Sequence, residues 1–213
     1  MRRAALMVLF ALPFACRAEI VDRVAVSVGN EVITESRILI DIRVTAFLNH
    51  TEPDFNPDSR RDAADRLVDQ LLIRREMEAS SYPLPAQSEA DGPEKNLINS
   101  LGGEAEYREG LQKYGVTREE VRHQLWWQVT ILRFIDYRFR PAVQAPRAAV
   151  LEEYNRQVAE WKSRGETNIP SFEDARETME QVVLEQRANQ ALDIWLGETR
   201  KQTDIVYHKD AFQ

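Results

Sequence analysis

Apolar positions in this chain change period along its length. Over residues 20–38, IVDRVAVSVGNEVITESRI, valines and isoleucines alternate loosely on either side of Gly29-Asn30, a pair that tolerates positive φ. This predicts a β-hairpin with strands near Val24 to Val28 and at Val32-Ile33. Thr34 is placed to cap a helix that runs through Ile38, Ile40, Ile42 and Val44 toward Leu48, although so many β-branched residues make it weak by propensity alone. Packing must hold it.

From there the period is helical. Over residues 59–80, Ala64, Leu67, Val68, Leu71 and Leu72 fall on one helix face and charges fill the other. Residues 81–96, with three prolines and Gly92, read as loop before a short helix near 95–101. A further helix over 104–114 stops at Gly115, a good residue for the left-handed position that ends a helix. The next start is the sharpest in the chain: Thr117 caps, Glu120 reaches back three residues later, and Val116 can pack on Val121 as a hydrophobic staple. The helix that follows is apolar nearly all round, which predicts a buried hub.

Beyond Pro141 and Pro146, Val150, Leu151, Tyr154, Val158 and Trp161 mark one side of another helix. After the loop KSRGETNIP, Ser171 caps a last helix running to about Lys201, roughly 45 Å long at 1.5 Å per residue. TDIVYH, residues 203–208, then reads as a short strand. Because an isolated hairpin is marginal in water, it needs this third strand, and the two ends of the chain are expected to meet. The fold class is mainly α with a small β element.

Composition narrows the class. With 213 residues and 43% hydrophobic content the chain can bury a core. Its first eighteen residues, MRRAALMVLFALPFACRA, have a basic start, a short apolar run and a small-x-small ending, the pattern of a secretory signal peptide cut after Ala18. An N-terminal anchor and lipidation at Cys16 are the alternatives. Cleavage removes Cys16, the only cysteine, and with it disulfides, thiolate metal sites and a cysteine nucleophile. Loss of Arg2, Arg3 and Arg17, with no acidic residue lost, takes the formal net charge from −7 to −10. That balance argues against nucleic acid as a partner.

Catalytic motifs are lacking in the sequence. His50, His123 and His208 are far apart, no pair is spaced for a helical metal site, and there is neither a nucleophile elbow nor a phosphate loop. The acidic pairs Glu119-Glu120 and Glu152-Glu153 fit solvated helix faces. No cofactor and no metal are expected.

Five stretches in order carry a resemblance: VDRVAVSVGNEVITESRI, AADRLVDQLLIRREM, YREGLQKYGVTREEVRHQL, AVLEEYNRQ and LEQRANQALDIWLGETRKQTDIVY. Together they look like the SurA-like periplasmic chaperones and foldase-type prolyl isomerases. In that family a parvulin isomerase domain, on the order of 100 residues, usually precedes the terminal helix. Here only KSRGETNIP stands in that place, so the resemblance implies the chaperone module alone and no isomerase activity. It implies one domain over 19–213, with helices over 34–140 and 146–202 in one body and the hairpin pairing with the C-terminal strand.

The function so implied is ATP-independent holding, in the periplasm, of unfolded or extended clients, in particular outer-membrane β-barrel precursors. No stable membrane insertion is expected after signal cleavage, and the oligomeric state is left open. Trp126, Trp127, Tyr137 and Phe139 are the candidate client-binding residues, in a cradle between hub helix, terminal helix and the 81–96 segment. Adjacent Trp126 and Trp127 point about 100° apart on a helix, so one can enter the core while the other lines a crevice. The alternatives are that all four aromatics are core, and that the chain is an exported helical interaction or assembly protein with a fixed folded partner.

Overall fold

The computed structural model describes residues 22–212, so the expected signal peptide and Cys16 lie outside the described residues. Strand β1 (Val24–Val28) and strand β2 (Glu31–Thr34) form the hairpin around Gly29-Asn30, with Gly29 at φ 57°. Strand β3 (Ile205–Tyr207) pairs antiparallel with β1, giving the strand order β2-β1-β3. The hairpin and the C-terminal strand therefore meet in one small sheet. Gly29 N–H donates to the Asp204 carbonyl at 2.8 Å and His208 N–H to the Ala25 carbonyl at 2.9 Å, extending the seam at both of its ends.

Helix α1 (Glu35–Asn49) follows the hairpin directly. Thr34 has the extended backbone of a cap, but its hydroxyl does not cap; it meets the Ser36 hydroxyl instead. The carboxylate of Asp22, fourteen residues back, accepts from Ser36 N–H at 3.2 Å and from the Ser36 hydroxyl. An anionic acceptor at a helix start also complements the dipole, so chain preceding β1 does the work expected of Thr34.

Helix α2 (Pro57–Ala79) begins two residues earlier than the pattern predicts. Asn56 caps it through the Ser59 N–H at 2.8 Å, and Pro57 sits in the first turn, where its missing donor costs nothing. The 81–96 segment also holds more structure than expected. A single turn at Gln87–Ala90 leads straight into α3 (Asp91–Leu101), with Gly92 and Pro93 inside the first helical turn. Proline is permitted there for the same reason. Helix α4 (Glu104–Tyr114) ends at Gly115 at φ 64°, as its position suggests.

Helix α5 (Arg118–Arg138) starts with the capping box in full: Glu120 N–H donates to the Thr117 hydroxyl at 3.2 Å, and Thr117 N–H to the Glu120 carboxylate at 2.7 Å. It touches α1, α2, α3 and α7 (Phe172–Gln202). The expectation of burial on every side is corrected, since Leu132 and Tyr137 are exposed. Helix α6 (Arg147–Ser163) packs on the first half of α7 around Val150, Ala175, Met179 and Val183. Leu151, placed on its apolar side by spacing, is exposed, and Glu153 is buried in its stead, held by Arg156 at 2.5 and 3.0 Å.

Two larger clusters complete the core. One gathers Phe47, Tyr107, Trp126, Trp127 and Phe134 with Ala188 and Leu192 of α7. The other seats the inner face of the hairpin, Val26, Val28 and Ile33, on Ile38 of α1 and on Leu67, Val68 and Leu72 of α2. Trp195 and Leu196 of α7 reach both.

Candidate functional site

Trp126 and Trp127 are brought together, their ring centroids 6.0 Å apart, and both border a cleft of about 680 Å³. The expected division between core and crevice does not occur: Trp126 is 8% and Trp127 4% exposed, and each serves as core and as cleft wall. The Trp126 indole donates to the Pro85 carbonyl at 3.0 Å, which anchors the 81–96 segment over the ring. The buried Trp127 Nε1 finds no partner among the described residues.

Facing the indoles is the edge of β2. Glu31, Val32, Ile33 and Thr34 all line the cleft. Successive strand residues point to opposite faces, so a space lined by four in a row runs along the strand's edge, where main chain is presented. Leu67 and Leu71 of α2 form the floor between strand and α5. Val32 is 55% exposed.

Charge is distributed unevenly around this space. Arg74 and Arg75 both hold the Glu31 carboxylate, Arg75 at 2.8 Å, and Arg75 also donates to the Val28 carbonyl at 2.6 Å, which fixes the hairpin turn. Arg37 of α1 is exposed and makes no ion pair among the described residues; it lies 3.4 Å from His123 Nδ1, and its charge also reaches buried Asp41, which Arg66 holds at 2.6 Å. Burial, and then the charges of Arg37 and Arg74, hold the His123 ring below its ordinary value, so the imidazole is neutral at neutral pH. The cleft wall thus carries more positive than negative charge on an acidic protein, with Glu31 shared by two arginines and Arg37 in no ion pair among the described residues.

The other two candidates lie elsewhere. Phe139 is 7% exposed and packs against Phe134 at 5.5 Å and Trp195 at 6.2 Å, as core. Tyr137 is 45% exposed and stacks on Tyr82 at 6.1 Å. Neither borders the cleft, and α7, expected as a cradle wall, contributes no residue to it. Sequence reading passed over Val32, Leu67, Leu71 and Arg37 as site residues. The alternation that makes Val32 a strand residue was visible, but not that its strand would end the sheet.

Groups that suggest catalysis have structural settings. His50 ends α1 in a left-handed conformation, and His208 lies 2.9 Å from the Ser27 hydroxyl. Glu120 belongs to the capping box and Glu153 to its pair with Arg156. Among the described residues, no three His, Cys, Asp or Glu side chains are grouped to hold a metal ion, and no helix is long and apolar enough to cross a membrane. No protein-family model matches this chain and no curated protein matches it, so the site is read from its own geometry.

Proposed function

We propose that this protein is an ATP-independent holding chaperone for unfolded exported polypeptides, acting in the periplasm. The observation that carries the reading is the cleft along β2: strand edge on one side, Trp126 and Trp127 on the other, and Leu67 and Leu71 between them. Such a space suits an extended chain, which offers main-chain hydrogen bonds and alternating side chains at once. The cleft is open and its indoles are largely buried, so the contact it offers is limited, and modest affinity is what a client that must later be released requires.

The resemblance to SurA-like chaperones supplies the client class, outer-membrane β-barrel precursors, whose strands alternate apolar and polar residues. The acidic exterior supports solubility of a loaded complex. Without the parvulin segment, holding and not proline isomerisation is the activity proposed.

The test is dilution of a urea-unfolded outer-membrane barrel protein, without nucleotide, in the presence of the purified protein. Light scattering suppressed at near-stoichiometric ratio supports holding. Unchanged scattering, with a folded partner recovered in a stable complex, points to an interaction module.

A further inference from the structure

The free side of β2 has the chemistry of an unfinished sheet. Val28 and Glu31 close a two-residue turn and so exchange the ladder hydrogen bonds; by alternation, the N–H and C=O of the next residue, Val32, point away from β1. No main-chain partner outside the ladder meets Val32 among the described residues. Edge strands are ordinarily blunted by brevity, charged side chains, proline, a bulge or a covering element. β2 is short and begins with the charged Glu31, but its outward-facing residue is an exposed valine, and the irregularity in the hairpin register, opposite Ile33 and Thr34, lies on β1 and not on the free edge. What stands beside the edge is a cleft rather than a cover.

Charge selects among occupants. Glu31 is shared by Arg74 and Arg75, and Arg37 at the same cleft makes no ion pair among the described residues, the one carboxylate its charge reaches, buried Asp41, being already held by Arg66, on a chain of net charge −7. A carboxylate side chain brought in with the occupant would pair with Arg37, and a basic segment would be repelled. A helix could not satisfy a strand edge, because its own main chain is already paired.

We infer, building on the holding reading, that an extended client segment adds to β2 as a fourth strand, its main chain pairing with Val32, its apolar side chains lying on Trp126 and Trp127, and an acidic side chain meeting Arg37. The site therefore prefers acidic-apolar extended segments of unfolded polypeptides over basic ones, and it recognises backbone as much as side chains.

The probe is a short synthetic peptide of alternating phenylalanine and threonine with one central glutamate, titrated into the purified protein and followed by tryptophan fluorescence. Two N-methylated versions block alternate amides, one set each. Only one set can face β2, so methylation of that set is expected to weaken binding about tenfold, and of the other set not at all. Val32→Pro, which removes the outward donor, should cost a similar factor while Val32→Thr, which keeps it, binds as wild type; thermal melts establish that both are folded. Arg37→Glu should reverse the preference between the glutamate peptide and a lysine counterpart.

Equal binding of both methylated sets, or a Val32→Pro variant that is folded and binds normally, overturns strand addition. So does a dimer formed without peptide and lost in Val32→Pro, since the edge would then serve a second copy. If barrel aggregation is suppressed while amide parity has no effect, holding stands and strand addition falls. If parity governs peptide binding but aggregation is not suppressed, strand addition stands and holding falls.

Discussion

Arg200, in the last turn of α7, donates to the Asp69 carboxylate of α2 at 2.7 Å across 131 residues of chain. Its other guanidinium nitrogens reach the carboxylate and the carbonyl of Asp65 at 3.1 and 2.7 Å. Tyr207 of β3 closes the group through its hydroxyl on Asp65. The link pins the end of the long helix to α2 just before the chain turns to join the sheet. Arg200→Met is expected to lower unfolding free energy by about 2 kcal/mol, less than a fully buried pair because the group is partly solvated. Urea denaturation measures it, and proteolysis should find the 203–212 segment cut first.

Asp65 gives this link a pH dependence. Burial raises its carboxyl, but hydrogen bonds from Tyr207 and Arg200 and the charges of Arg200 and Arg61 outweigh that and hold it below the ordinary 3.8. A depressed carboxylate contributes stability above its unfolded value and loses it as pH falls through the folded one. The stability gap between wild type and Asp65→Asn should therefore be full at neutral pH and shrink as pH drops below about 4. Denaturation at a series of pH values reads the convergence.

Gly110 of α4 lies under the ring of Phe47. A Cβ there would stand 2.7 Å from Phe47 Cε2, on a ring that is buried and wedged between Tyr107 and Tyr114. Alanine in a helix gains about 1 kcal/mol over glycine, while overpacking a fixed ring costs about 1–3 kcal/mol. The second effect wins. Gly110→Ala should destabilise by about 1 kcal/mol, and Phe47→Leu added to it should cost less than in wild type.

Phe139 and Tyr137, two residues apart, should separate cleanly. Phe139→Ala leaves a cavity against Phe134 and Trp195 and should cost about 3 kcal/mol. Tyr137→Ala loses a stacking contact at the surface, worth under about 1 kcal/mol. Neither borders the cleft, so a folded Tyr137→Ala variant should retain client binding in the aggregation assay.

The sequence was most legible where structure is local. Gly29-Asn30, the Thr117 and Glu120 pair, Gly115 and Ser171 each mark an element boundary through a contact spanning three residues or a single backbone conformation. The meeting of the chain ends was legible for another reason: a two-stranded hairpin is unstable alone, and one other strand was available. What could not be read depends on geometry between elements. Asp22 caps α1 only because the hairpin folds it back, and Glu153 is buried only because α6 lies on α7 with that side inward, against Gln186. The cleft is of the same kind. Its aromatic wall was visible as Trp126 and Trp127, whereas the opposite wall follows from β2 lying at the end of the strand order, which no spacing encodes.

Main-chain amide exchange of Val32, with and without an unfolded barrel protein bound, reads whether the free edge of β2 pairs with a client. Strand addition to β2 predicts fast exchange in the free protein and marked slowing in the complex, together with a changed environment for the Trp126 and Trp127 indoles. Unaltered exchange at Val32 in a complex that has demonstrably formed, with protection instead around Leu132 and Tyr137, would contradict it.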